Sequence, residues 1–186
     1  MGILAKIFNA TPREQLKGIS LGQDAFWELS PARDLASFLK ALPSLLPNGA
    51  IAYLEDGTPP KEIKTFLDAH CVPEVSHLAM GTIWPRPEVY HLPATPQNLA
   101  QLATLAEKCA TPEVAIHLHI YQPGKVLLEW YDAFSGDPFY LSQTIPEEKV
   151  KRFCKLLSLT YKKSGKSVEP TLHPQPTRAD ARLFCG

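Results

Sequence analysis

The 186-residue chain (20.6 kDa) carries 19 basic and 19 acidic side chains, for a formal net charge of zero, and is 45% hydrophobic, 20% charged and 9% aromatic. That length fits one domain able to bury a core, the hydrophobic share excludes wholesale disorder, and no apolar run approaches the ~18 residues of a membrane-spanning helix. Balanced charge removes a whole-domain case for nucleic acid or an anionic membrane surface as the partner.

The opening MGILAKIF has neither a secretory hydrophobic region nor a small-residue cleavage site after it. Cys71, Cys109, Cys154 and Cys185 form no CxxC pair. The expectation is a cytoplasmic protein with reduced thiols.

The 18 prolines are mostly punctuation. Pro12, Pro31, Pro59, Pro96 and Pro146 stand where helices should begin, and Thr11, Ser30, Thr58 and Thr95 precede four of them as N-caps. A hydroxyl cap satisfies an orphan amide, and proline at the first helical position has no N–H to lose. Four to five proline-capped helices follow: Pro12 to about Lys17, Pro31 to about Leu42, one from Pro59, Pro96 to about Ala110, and one from Pro146. The second buries Leu35, Phe38, Leu39 and Leu42 at helical spacing. The last buries Val150, Phe153, Cys154 and Leu157.

Between them, Ala50 to Glu55 reads as a strand, and residues 82–92, with Pro85 and Pro87, as an edge or loop. The clearest pair of strands is Glu113 to Tyr121 and Val126 to Ala133, joined at Pro123-Gly124; Phe139 to Ser142 is a further short strand. The order predicts an α/β or α+β fold, a single-domain layered sandwich over residues 1–163 whose mixed sheet contains an antiparallel hairpin at about 113–133. Residues 164–186, with three prolines and no periodicity, read as a flexible tail.

Chemistry concentrates at His117-Leu118-His119. Side chains alternate across a strand, so both imidazoles share a face while Val114, Ile116, Leu118 and Ile120 take the core face. On the partner strand Val126, Leu128 and Trp130 form the core set, because Glu129 is costly to bury unpaired. That register sets His119 opposite Glu129 and His117 opposite Tyr131, and implies a three-residue turn. His117, His119 and Glu129 are the candidate metal ligands; the plainer use of the same atoms is a cross-strand pair on a half-buried sheet face.

Lys149 to Lys166 holds seven cations and no acid, a candidate grip for RNA or phosphate, although Glu147 and Glu148 before them suit a solvated helix and its dipole. Trp130, Tyr131, Phe134, Phe139 and Tyr140, with Asp132, Gly136 and Asp137, frame the loop after the hairpin. Aromatics beside short acids suit a partner-binding surface. Tyr131, Phe134 and Asp137, with Trp84 as a second anchor, are its candidate residues.

No serine elbow, P-loop, dinucleotide fingerprint or catalytic-cysteine signature occurs, and no cofactor is expected. The composite expectation is a small cytoplasmic, non-catalytic protein-binding or adaptor module whose partner is another protein, not nucleic acid or membrane. A metal-dependent hydrolase on the HxH strand and an RNA- or phosphate-binding module on residues 149–166 are the alternatives.

Overall fold

Why the helices start where they do is a matter of caps. The computed structural model describes residues 18–22, 25–79, 81 and 87–164. The expected first helix from Pro12, Trp84 and the tail beyond residue 164 lie outside them. α1 (Leu35–Ala41) begins after Asp34, whose carboxylate accepts the Ser37 N–H at 2.7 Å. The expected start at Pro31 is therefore corrected. Ser30 serves instead to hold Thr160, whose N–H it accepts at 3.0 Å. α2 (Lys61–His70) begins after Pro60, because a residue preceding proline is pushed out of helical conformation and Pro59 is such a residue. α3 (Pro96–Ala106) starts as predicted, with Thr95 accepting from Asn98 and Pro96 at the first position, but ends at Ala106, short of the expected Ala110. α5 (Glu147–Leu157) starts just after Pro146.

Seven strands form one sheet in the order β3-β2-β4-β5-β6-β1-β7 among the described residues. They are β1 (Phe26–Leu29), β2 (Ile51–Glu55), β3 (Val89–Pro93), β4 (His117–Gln122), β5 (Lys125–Trp130), β6 (Phe139–Ser142) and β7 (Tyr161–Ser164). Every pairing is antiparallel; the mixed sheet expected from sequence reduces to a single parallel bridge, Ile19 with Leu78. The class is thus α+β.

Two expectations about the hairpin are corrected. Thr111–Val114 is a helical turn, α4, rather than the start of a strand: Pro112 opens it and the Glu113 carboxylate accepts the Ala110 N–H at 2.7 Å. The hairpin turn has two residues, since Gln122 pairs with Lys125, and the register is restored by a bulge. Ile120 pairs with Leu128 and Tyr121 with Val126, leaving Leu127 as the extra residue. Leu127 and Leu128 both enter the main core, while Val126 moves to the face of Tyr121.

The main core lies between the helices and one face of the sheet. Phe38, Leu39, Phe66, Leu67, Leu99, Leu102, Val150 and Phe153 meet Leu29, Leu54, Leu118, Ile120, Trp130 and Leu141. Phe38 touches four rings at 5.2–5.8 Å: Trp130, Phe134, Phe139 and Phe153. A smaller cluster of Ile51, Tyr53, Leu78 and Tyr121 occupies the other face.

Candidate functional site

Antiparallel register carries one row of side chains across all seven strands on the face away from the helices. In spatial order it reads His91, Tyr53, His119, Glu129, Tyr140, Glu28, Lys162. His91, Tyr53 and His119 are buried, Glu129, Tyr140 and Glu28 are half-buried, and Lys162 is exposed. The face expected to be half-open is closed at its β3–β4 end.

The cover is irregular chain, residues 18–22, 71–79 and 81, and irregular chain needs partners for its backbone. The sheet face supplies them. Glu55 accepts the Gly81 N–H at 3.2 Å, Tyr121 Oη accepts the Val75 N–H at 3.5 Å, and Glu129 accepts the Leu21 N–H at 3.1 Å. Tyr131 donates its hydroxyl to Ala79 O at 3.4 Å, and Ser76 Oγ accepts the Gly124 N–H at 2.9 Å from the hairpin turn. Within the face, Tyr53 donates to Glu55 at 2.6 Å and His91 Nδ1 meets Tyr121 Oη at 2.9 Å.

The two imidazoles do similar work for the hairpin. His119 Nδ1 accepts the Trp130 N–H at 3.3 Å, and His117 Nδ1 accepts the Asp132 N–H at 2.9 Å. Accepting at Nδ1 places the proton of neutral His119 on Nε2, a buried atom without a hydrogen-bond partner; the Tyr131 ring lies edge-on at 4.6 Å. Burial, with His117 nearby, pushes the His119 pKa down to about 3, so the ring stays neutral. Burial also lowers His91 and raises the Glu129 carboxyl.

His119 and Glu129 are paired as expected, yet each bonds to backbone rather than to the other. Among the described residues no three His, Cys, Asp or Glu side chains are grouped as a metal ion requires. The Cys71 and Cys154 thiols are pushed up to about 11 by burial, and Cys109 is raised by burial too, away from the thiolate a nucleophile needs.

The loop after β5 straddles the end of the sheet. Tyr131 turns to the histidine face, with its ring 5.7 Å from His117. Phe134 turns to the helix face, 4.2 Å from Trp130 and 5.8 Å from Phe38. Asp132, Ser135, Gly136 and Asp137 remain in solvent. The path requires positive φ at Asp132 (45°), Phe134 (66°) and Gly136 (110°). Phe134 and Asp137 are therefore neighbours on one loop, while Tyr131 belongs to a different surface.

The basic segment divides. Lys151, Arg152 and Lys155 stand exposed on α5, and Lys149 is half-buried. Lys162 pairs with Glu28 at 3.0 Å on the histidine face, and Lys163 lies 5.9 Å above the Trp27 ring on the helix face. No helix among the described residues is long and apolar enough to cross a membrane.

Sequence reasoning missed the transverse row, because β1 and β7 are four residues each and were not read as strands. Alternation of Phe26 and Glu28 against Trp27 and Leu29 is the one signal that marks β1. It also missed a cleft of about 650 Å³ where the turn into α1 meets the end of α5, lined in part by Pro31, Arg33, Leu156 and Leu159. No protein-family model matches the chain, and no curated protein or solved structure matches it either.

Proposed function

We propose that the chain is a non-catalytic protein-binding module, an adaptor of the cytoplasm, that presents the 131–138 loop to another protein. The observation behind this is the backbone of Phe134. A bulky residue at φ 66° sits where glycine is the usual occupant. Holding a non-glycine residue there costs of order 1–3 kcal/mol, and such conformations persist where the surrounding structure enforces them. Trp130 and Phe38 clamp the ring, so the strain is built into the fold. Its consequence is display: the Asp132 carboxylate, 3.9 Å from His117 Nδ1, is still 67% exposed, and Asp137, which accepts the Ser135 hydroxyl, is exposed on the same aromatic base. Acids on a rigid aromatic support suit a basic segment of a partner protein.

The test compares tagged wild type with the double variant Asp132→Asn, Asp137→Asn in quantitative capture from cell extract. Asn tolerates the left-handed backbone of Asp132, so the melting temperature should hold. A captured protein depleted several-fold by the double variant at unchanged melting temperature supports the assignment. Identical capture by both proteins contradicts it.

A further inference from the structure

We propose a second docking groove, separate from the 131–138 loop, that takes an acidic peptide segment with an apolar anchor. It is the cleft of about 650 Å³ between the turn into α1 and the C-terminal end of α5. Three features converge on it. Leu156 is 62% exposed, the most exposed large apolar side chain among the described residues, and it lines this cleft rather than standing alone. The chain then turns back at Ser158 (φ 54°), with the Leu159 N–H bonded to Cys154 O at 2.9 Å, which brings Leu159 onto the same wall. The groove therefore has an apolar floor at a fixed end of a helix.

The cleft is lined by one cation and one acid, and a further cation stands one turn away on α5. Arg33 is exposed on the facing wall. Along α5, Arg152 precedes Leu156 by four residues, the spacing that places side chains on one helix stripe, and Lys149 stands a further turn back. The acid lining the cleft, Asp34, turns its carboxylate to α1, where hydrogen bonds from the Ser37 side chain and N–H hold its pKa below the usual range and keep it anionic against that helix end. Glu147 and Glu148 lie at the other end of α5, and Glu147 accepts the Tyr161 hydroxyl at 3.1 Å. A partner that buries a leucine-type side chain against Leu156 thus meets positive charge around it, and complementary charge selects acidic flanks. A nucleic acid would use the cations and leave Leu156 without a role.

Fluorescence anisotropy of a labelled synthetic peptide, aspartates and glutamates around a central leucine, tests this on the full chain. Saturable binding is expected, weakening as salt rises and at least tenfold weaker with Leu156→Asp or with Arg33→Ser. Both positions are exposed, so melting temperatures should match the wild type. The same peptide with lysines for its acids, or alanine for its leucine, should bind at least tenfold more weakly. The Asp132→Asn, Asp137→Asn protein should bind the acidic peptide normally, which separates this groove from the loop. No saturation, equal binding of the lysine peptide, or a single-stranded RNA oligonucleotide that binds equally to wild type and Leu156→Asp would overturn the proposal.

Discussion

His119 and Glu129 lie opposite each other on the β4–β5 ladder, yet the imidazole accepts from Trp130 and the carboxylate from Leu21. The pair that reads as chemistry in the sequence ties the hairpin and the covering chain to the sheet. A buried imidazole held neutral makes folding pH-dependent. The unfolded ring takes a proton near its ordinary value of 6.5, while the folded ring resists until about 3. Stability should therefore fall as pH drops below that ordinary value, by up to roughly tenfold in the folding equilibrium per pH unit. The raised Glu129 acts in the opposite sense, since the folded carboxyl holds a proton the unfolded one has lost. Denaturant midpoints from pH 7.5 to 4 check this, and His119→Gln should flatten the slope.

The cover over that face has a tight point. A side chain on Gly81 would place its Cβ 2.4 Å from Cδ2 of His117, whose ring is buried. Gly81→Ala should destabilise the fold by about 1–3 kcal/mol through overpacking, read as a shift in urea midpoint at unchanged slope. An unaltered midpoint would mean the covering chain yields freely.

Leu127 tests the bulge. Strict alternation places it with Glu129 on the polar side, whereas it is 2% exposed within the main core. Leu127→Asp should cost ~3 kcal/mol or more, the range for an unpaired buried charge. A near-neutral effect in thermal unfolding would restore the simple register.

Phe134 should report on both stability and binding. Its ring is half-buried against Trp130 and Phe38, so Phe134→Ala should lose about 1–3 kcal/mol. The same variant should weaken capture of the loop's partner. Asp132→Asn with Asp137→Asn should affect capture alone.

The long amphipathic helices and the hairpin were legible because each carries a period or a turn signal of its own. The sequence pattern marks Phe139–Ser142 with its observed bounds and sets His119 opposite Glu129. That register is reached by a two-residue turn and a bulge at Leu127, not by the three-residue turn that strict alternation implies. Alternation fixes which faces meet, not where the extra residue sits. β1 and β7 were missed because four residues carry too little pattern. Closure of the histidine face was missed for another reason. The cover is irregular chain, and its backbone bonds to Glu55, Tyr121 and Glu129 come from strands far away in sequence.

Site-specific photo-cross-linking tests the binding assignment most directly. A photoreactive amino acid at position 135, on the exposed loop, is compared with one at position 101, exposed on α3. Irradiation in cell extract should give a discrete adduct from 135, absent from 101 and lost when Asp132→Asn and Asp137→Asn are added. Equal adducts from both positions, or none from 135, would contradict a recognition role for this end of the sheet.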